Sequence, residues 1–204
     1  MIFEQIPVGN MENFAYVIGD EKTKLATIVD PAFEVEKILK VVEKNKLKVK
    51  YIINTHSHFD HVSGNEEIVK KTGAKIIVHR LVKMKVDIFV DDNDVIKLGN
   101  LKIKVIHTPG HTPDSICLLV ENKLLTGDTL FVGECGRTDF PGGDSRQMYD
   151  SLFNKLMKLD NNIGIYPGHD YGNTCSSTIG FERKNNYTLK LRTEEEFVQF
   201  MKEP

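Results

Sequence analysis

Short apolar runs separated by polar segments fill the first half of the chain and predict alternating strands and helices. The β-branched runs "NFAYVIG" and "LATIVD" flank the polar segment "DEKTK", which predicts a hairpin. In "EVEKILKVVEKNK" the apolar residues recur at helical spacing, which predicts a helix. The runs "VKYIINT" and "KIIVH" predict buried strands, and "NEEIVKKTG" between them predicts a helix that ends at Gly73.

The second half of the chain repeats this pattern. Two further hairpins are predicted, "VIKLGNLKIKVIHT" turning at Gly99 and Asn100, and "ICLLVENKLLTGD" turning at residues 121–123. The stretch "SRQMYDSLFNKLMKL" predicts an amphipathic helix, and "IGIYPGHDYG" predicts a strand that runs into a loop. The segment "TEEEFVQFM" begins with the capping-box pair Thr193 and Glu196 and predicts a last helix.

Two β-rich halves with helices around them predict a layered α/β sandwich. No segment has the composition of a linker, so we expect a single domain over residues 1–204 with a short C-terminal tail from about residue 180.

Composition narrows the function classes. The formal net charge is −2, which gives no basic footprint, so we expect no nucleic-acid partner. No apolar run is long enough to span a bilayer and the first residues lack the pattern of a secretory signal, so we expect no membrane association. The three cysteines, Cys117, Cys135 and Cys175, are widely spaced and form no disulfide or zinc pattern, which favours a reducing, cytoplasmic compartment.

The segment "NTHSHFDHVSG" carries the main chemical signal. His56 and His58 lie two residues apart at the end of a predicted strand, so their side chains point the same way and can bind one metal ion. Asp60 and His61 follow in a turn and can reach a second ion beside the first. The cluster contains no cysteine, and imidazoles with carboxylates suit zinc or iron at a working site with open positions.

Three further candidate ligands each follow a glycine at the end of an apolar run: His111 in "TPGHT", Asp128 in "LTGDT" and His169 in "YPGHD". Grouping them with the cluster predicts two sets of ligands with Asp128 bridging both ions. The first set is His56, His58 and His111, and the second is Asp60, His61 and His169. His79 and His107 lie outside these motifs, and we expect them to be structural, with a supporting contact to the site as the alternative for His107.

The successive motifs "THSHFDH", "TPGHT", "TGDTLF" and "YPGHD" resemble the signatures of the metallo-β-lactamase-fold superfamily, in the same order and over nearly the whole chain. The resemblance implies an αββα sandwich, with two mixed β-sheets flanked by helices and with the metals at one edge of the sheets. The motifs "GRTDFPGGD" and "PGHDYG" are similar to those of glyoxalase II-like thioesterases, also called hydroxyacylglutathione hydrolases, and of the related persulfide dioxygenases.

The glyoxalase II-like resemblance implies a metal-dependent thioester hydrolase in which a metal-bound hydroxide attacks the carbonyl carbon. Two divalent ions are expected, zinc first, with iron or a mixed zinc and iron pair as alternatives. Asp60 and Asp128 are the expected catalytic carboxylates. Arg137 matches a basic position that holds glutathione, and Tyr171 matches a tyrosine on the same substrate wall. We expect Cys135, which lies close by in sequence, to be structural.

The main alternative is a persulfide dioxygenase with a single Fe(II) held by His56, His111 and Asp128. A non-catalytic metal-binding protein is disfavoured because every ligand position is filled. In each enzymatic case the expected partner is a small thioester or a thiol-derived molecule. Only a short segment follows "TIGFERKNN", where typical glyoxalase II has a helical extension, so a thiol other than glutathione stays open. The expected assembly is a monomer or a homodimer.

Overall fold

The computed structural model describes residues 1–84 and 86–202 of the 204-residue chain. The strands are β1 (Ile2–Val8), β2 (Asn13–Gly19), β3 (Leu25–Val29), β4 (Lys48–Ile53), β5 (Lys75–His79), β6 (Ile88–Val90), β7 (Val95–Leu98), β8 (Leu101–His107), β9 (Ile116–Val120), β10 (Lys123–Gly127), β11 (Gly164–Pro167) and β12 (Ser177–Thr178). The α-helices are α1 (Val35–Lys44), α2 (Phe59–Val62), α3 (Asn65–Thr72), α4 (Ser145–Tyr149), α5 (Ile179–Asn185) and α6 (Glu194–Phe200).

The strands form two mixed sheets of six strands each. The first sheet has the order β1-β2-β3-β4-β5-β6, with antiparallel pairs up to β3 and parallel pairs from β3 onwards. The second has the order β12-β11-β10-β9-β8-β7, in which β10 and β11 are parallel and the other pairs are antiparallel. It follows that β8, β10 and β11 all run in one direction, so their carboxyl ends lie at the same edge.

Three layers of apolar contact hold the sandwich together. Between the sheets, residues such as Tyr16, Ile53 and Leu118 form one buried cluster. On the outer side of the first sheet, α1 contributes Ile38 to a second cluster. On the outer side of the second sheet a third cluster includes Phe197 of α6, which is fully buried. The helices therefore cover both outer faces, which confirms the predicted αββα sandwich.

Most predicted elements are present at or near the expected residues. The hairpins at β2–β3, β7–β8 and β9–β10 form, Gly73 ends α3 with φ of 70°, and Thr193 and Glu196 make both hydrogen bonds of the capping box. The strands β1, β6 and β12 and the helices α2 and α5 were not among the predicted elements, and Asp60 and His61, expected in a turn, lie in α2. The single domain with a C-terminal tail from about residue 180 stays a prediction.

The single amphipathic helix predicted for "SRQMYDSLFNKLMKL" is wrong in its geometry. The backbone is α-helical only over Ser145–Tyr149, is π-helical over Asp150–Lys155 and ends as a 3₁₀ turn over Leu156–Lys158. Met148, Leu152 and Leu156 lie four residues apart and are all fully buried in the third cluster, so the apolar face that the spacing predicted is kept through the π-helical turn.

Over the described residues, none of the helices has the length and apolar character needed to cross a membrane.

Candidate metal centre

The candidate ligands lie where strands of both sheets end. His56 and His58 follow β4, and α2 then presents Asp60 and His61. From the second sheet, the segments after the co-directional strands β8, β10 and β11 carry the other three candidate ligands, His111, Asp128 and His169. The site therefore spans the gap between the sheets, and both halves of the chain contribute to it.

The first ligand group consists of three imidazoles. Nε2 of His56 lies 3.1 Å from Nδ1 of His58, and Nε2 of His111 lies 3.0 Å from that same Nδ1. His56 and His111 are buried and His58 is half-buried. The three nitrogens thus converge on one point with spacings that a single ion can bridge.

The second ligand group adds a carboxylate. Nε2 of His61 lies 3.2 Å from Nε2 of His169, and Oδ2 of Asp60 lies 3.5 Å from the first nitrogen and 3.4 Å from the second. All three side chains are buried. This set matches the second group predicted from the sequence.

Asp128 lies between the two groups. Its Oδ2 is 3.6 Å from Nε2 of His111 and 3.3 Å from Nε2 of His169, while its Oδ1 is 3.4 Å from Nε2 of His61. The Oδ1 atom is buried and receives no hydrogen bond. The structure therefore brings all seven predicted ligands together, and their action as ligands stays a prediction.

A second set of contacts fixes which nitrogen of each ring faces the site. The Nδ1 atom of His61 bonds to Oδ2 of Asp30 at 3.1 Å, that of His169 to the carbonyl of Met11 at 2.8 Å, and that of His111 to the carbonyl of Arg137 at 2.7 Å. Since these acceptors require a proton on Nδ1, each neutral ring presents the lone pair of Nε2 to the centre. Metal-binding histidines in proteins are held in this way.

The facing lone pairs show that the residues fit a cation. Nε2 of His61 and Nε2 of His169 face each other at 3.2 Å, and neither neutral ring has a hydrogen to share there. The unpartnered Oδ1 of Asp128 lies beside them. A buried arrangement of lone pairs and carboxylates is unfavourable unless a positive charge lies among them. Bound metal ions meet that need, and in their absence protons do so.

Burial and neighbouring charges shift the histidine pKa values in opposite directions in the two ligand groups. Burial lowers the pKa of His56 and of His58 from the ordinary value, and neighbouring histidines lower them further. Burial also acts on His169, but hydrogen bonds with the carboxylates of Asp128 and Asp60 outweigh it and raise that pKa to about 9. The pKa of His61 is raised too, because the charge of Asp128 and the hydrogen bond with Asp30 exceed the effect of burial.

The carboxylates respond in the opposite sense. Burial alone would raise the pKa of Asp128, but the neighbouring His61, His169 and His56 hold it well below its usual range. Burial would also raise the pKa of Asp60, but the hydrogen bond with His169 and the charge of His61 lower it. The hydrogen bond from the amide of Asn13 lowers it further. Both carboxylates are therefore ionised at neutral pH.

Two glycines allow the strand ends to approach this closely. A Cβ on Gly168 would lie 2.3 Å from Oδ1 of Asp128, so only glycine leaves room for the carboxylate. Gly110 has φ of 142°, and a Cβ there would lie 2.5 Å from the backbone of Met148. The residue after each glycine, His169 or His111, is thereby carried into the site.

Sequence reasoning missed the residues that support the ligands. Asp30 accepts hydrogen bonds from the backbone nitrogen of Thr55 at 2.7 Å and from its hydroxyl at 2.6 Å, as well as from His61. Nδ2 of Asn13 donates to Oδ2 of Asp60 at 3.0 Å. Asp30 directly follows the buried strand β3, as Asp128 follows β10, but no glycine precedes it, and the strand-end position was the signal that could have marked it.

A cleft of about 620 Å³ opens onto the ligands. Arg137 and Tyr171 both line it, as the family resemblance implied. The ring of Tyr171 stacks on His169 with centroids 4.6 Å apart. Arg137 forms a salt bridge with Asp139, its Nε donating to Oδ1 at 2.6 Å, and lies over the ring of Phe140. Contact of either residue with substrate stays a prediction.

The other two histidines and Cys135 lie outside the ligand groups. The rings of His79 and His107 stack with centroids 4.0 Å apart, and Nε2 of His107 bonds to the carbonyl of Pro113. Neither belongs to a three-ligand group among the described residues, which agrees with a structural role. Cys135 lines the cleft, but burial raises the pKa of its thiol to about 12, so it is protonated at neutral pH.

The family model of the metallo-β-lactamase superfamily matches residues 8–169. The chain belongs to this superfamily. Its members bind metal ions, which agrees with the clusters of histidine and aspartate described above. The chain is accordingly an enzyme of this superfamily, and the family resemblance of the four motifs is confirmed.

Relatives in this superfamily with similar identity carry two different activities in their names. A hydroxyacylglutathione hydrolase of Pelagibacter ubique is 38% identical over 186 residues, covering 89% of this chain and 76% of the relative. The human mitochondrial persulfide dioxygenase ETHE1 is 33% identical over 192 residues, covering 92% of this chain and 75% of the relative. The crystal structure of ETHE1 from Myxococcus xanthus superposes with a TM-score of 0.95 at 34% identity, covering 99% of this chain and 90% of that one.

Proposed function

We propose that the protein hydrolyses thioesters with two divalent metal ions, zinc in the first instance, with iron or a mixed pair as alternatives. The observation that carries the proposal is the complete second ligand group, Asp60, His61 and His169, which shares Asp128 with the first group. A site for one iron needs only the facial set of two histidines and one carboxylate. That set leaves four further converging side chains, His58, Asp60, His61 and His169. The last three are each oriented by a partner, which suits a second ion.

The residues would divide the work as follows. His56, His58 and His111 would hold one ion, Asp60, His61 and His169 the other, and Asp128 would contact both. Bound ions would lower the pKa of a water molecule to about 7 and polarise the substrate carbonyl. The ionised carboxylates of Asp60 and Asp128 would orient the attacking water by accepting its hydrogen bonds. Asn13 keeps Oδ2 of Asp60 in place for that role.

In the reaction, oxygen from water bonds to the carbonyl carbon, the C–S bond breaks, and sulfur leaves with its electron pair as a thiolate. The protons of the water pass to the solvent. Since a thiol has a pKa of about 8.5, the leaving group needs little protonation by a protein acid. No protein nucleophile is required, and the protonated thiol of Cys135 is a poor one. Arg137 and Tyr171, on the walls of the cleft, would contact the bound substrate.

A second candidate is a persulfide dioxygenase with one Fe(II). The observation that favours it is the close superposition with ETHE1 from Myxococcus xanthus over 99% of this chain. Oδ2 of Asp128 lies 3.9 Å from Nε2 of His56 and 3.6 Å from Nε2 of His111, so these three residues would form the facial set.

Metal content and two assays on one preparation separate the candidates. Protein purified without added metal is analysed by mass spectrometry for metal per chain. It is then assayed for release of thiol from S-lactoylglutathione and from the acetyl thioester of N-acetylcysteamine, and for oxygen uptake with glutathione persulfide. We expect close to two divalent ions and thiol release without oxygen uptake. One iron per chain with oxygen uptake and no thiol release would contradict the hydrolase and support the dioxygenase.

A further inference from the structure

The mouth of the cleft is lined by large apolar side chains that are exposed to solvent. Met11, Phe59, Phe140 and Tyr171 line it, with exposed fractions between 40% and 63%. They come from four separate segments, namely the β1–β2 turn, α2, and the segments after β10 and β11. Exposed apolar side chains that converge on one concave surface are typical of ligand-binding sites.

These apolar residues begin directly at the ligand groups. The ring of Phe140 meets His58 edge-to-face at 5.6 Å and His111 at 6.0 Å between centroids. Tyr171 stacks on His169, and Phe59 adjoins Asp60 in the chain. A group bound next to the reacting carbonyl would therefore lie against apolar side chains on several sides.

The cleft has little free charge to bind an anion. Apart from the candidate ligands, the charged side chains among its described lining residues are Glu134 and Arg137. Glu134 accepts a hydrogen bond from the hydroxyl of Tyr187 at 2.7 Å. The guanidinium of Arg137 donates two hydrogen bonds to the carboxylate of Asp139, and its face lies 4.2 Å from the centre of the Phe140 ring. These bonds take two of the five N–H groups of Arg137, so a substrate anion would compete with Asp139 for the edge formed by Nε and Nη2.

We propose that the substrate is a thioester that joins an apolar, uncharged acyl group to an uncharged thiol, and that Asp139 sets the preference for the thiol by occupying Arg137. The acyl chain lies between Phe59, Phe140 and Tyr171, and the Arg137–Asp139 pair disfavours thiols with a carboxylate or phosphate. This inference rests on the proposed thioester hydrolysis and adds the chemical class of the substrate.

The first test varies the acyl chain on one uncharged thiol. Steady-state kcat/KM is measured for the acetyl and hexanoyl thioesters of N-acetylcysteamine. Four additional methylenes that leave water should favour the hexanoyl substrate by roughly 10- to 100-fold. A ratio within about twofold of unity would overturn the inference.

Matched aromatic variants connect this ratio to the cleft. Phe59→Ala should lower the hexanoyl-to-acetyl ratio by about threefold or more, because it removes part of the apolar wall. Phe181→Ala is the control, since Phe181 is similarly exposed but lies on α5 outside the cleft, and it should keep the wild-type ratio. Equal ratios in Phe59→Ala and the wild type would contradict the proposed location of the chain.

The second test measures a gain in affinity for a charged thiol, which a misfolded variant would not show. Asp139→Asn should free the fork of Arg137, and the KM of hexanoyl-glutathione relative to that of hexanoyl-N-acetylcysteamine should fall by about 3- to 10-fold. Adding Arg137→Ala to this variant should abolish the gain. An unchanged KM ratio in Asp139→Asn would overturn the role of Asp139.

Binding of unreactive ketone analogues gives a readout that does not depend on turnover. Replacing the thioester sulfur by a methylene prevents hydrolysis, and calorimetry should show at least about tenfold tighter binding of the hexanoyl than of the acetyl analogue. Hydrolysis without any preference for chain length would overturn this inference and leave the hydrolase proposal standing. A binding preference without hydrolysis of any thioester would overturn the hydrolase and, with it, the thioester as substrate, while the apolar selectivity of the cleft would stand.

Discussion

One ligand group, His56, His58 and His111, is built from imidazoles alone, whereas the other combines His61 and His169 with Asp60. In the first group burial lowers the pKa values of His56 and His58, so these rings are neutral at pH 7. In the second group nearby carboxylates raise the pKa values of His61 and His169 against the effect of burial.

The difference shows that neighbouring charge, and not the residue type, decides the state of a buried histidine. The first group offers lone pairs that a metal can take at once. The second group holds protons until a metal displaces them, so metal binding there releases protons and depends on pH. The two halves of one site are thus distinguishable by experiment.

The largest effect is expected where the two groups join. Asp128→Ala removes the carboxylate that contacts both, leaving the like charges of two ions or of several protons without compensation. We expect the loss of most bound metal and a fall of kcat/KM by at least about 100-fold. Metal per chain and thioester hydrolysis are measured on the same sample.

His79→Ala serves as the comparison, because it removes a buried histidine outside both groups and should keep its metal. Full metal content in Asp128→Ala, with more than a tenth of the wild-type rate, would show that Asp128 does not join the groups.

A smaller effect should separate the two groups. Asp30→Asn keeps the shape of the side chain but removes the charge that binds Nδ1 of His61. We expect affinity for the ion in the second group to fall by about 10- to 100-fold, while the ion in the first group stays. Competition with a chelator, followed as metal per chain, measures this difference.

Asp20→Asn is the matched control for Asp30→Asn. Asp20 is also a buried aspartate, but it bonds to Thr23 and Asn100 at the turns of two hairpins. Its substitution should leave the affinity of both ions unchanged. Equal loss of both ions in Asp30→Asn would contradict the claim that Asp30 supports the second group alone.

The smallest effect concerns the stability of the metal-free protein. The pKa of His169 is about 9 in the folded chain and near about 6.5 in the unfolded chain, so its stabilisation is complete below pH ~6.5 and is lost as pH rises through ~9. His56 and His58 have lowered pKa values, so stability also falls as pH drops below ~6.5, where only the unfolded chain binds their protons.

Thermal unfolding of the metal-free protein should therefore show a maximum near pH ~6.5 and a decrease of Tm of about 2 to 8 °C by pH ~9. In His169→Asn the decrease on the alkaline side should be smaller. A Tm that rises steadily from pH ~6.5 to ~9 in the metal-free wild type would contradict the assignment of raised pKa values to the second group.

The sequence predicted the ligands better than their supports, for a physical reason. The candidate ligands His56 and His58 lie in one short motif, and their spacing alone indicates that they can share an ion. Asp30 binds His61 across 31 residues, and the carbonyl of Met11 binds His169 across 158, so these contacts exist only once the chain has folded.

The missed elements have local explanations. Pro7 lies within β1, and proline is poor in sheet interiors, but β1 is an edge strand that pairs only with β2 in the described sheet. The π-helical turn at Asp150–Lys155 keeps Leu152 and Leu156 buried, as an α-helix with the same spacing would, so periodicity alone does not reveal it. The fold class and the convergence of the candidate ligands were therefore accessible, whereas strand β1, helix geometry and supporting contacts were not.

The position of the site across the two sheets has a consequence for the lifetime of the protein. Near the ligands, the sheets are joined by hydrogen bonds such as that from the backbone nitrogen of Ile116 to the carbonyl of Thr55, and ions bound by both sheets would tie them further. A ligand present at 100 times its dissociation constant stabilises a folded chain by about 2.7 kcal/mol. Metal scarcity would thus expose more chains to proteolysis, so metal supply would set the abundance of this enzyme as well as its turnover.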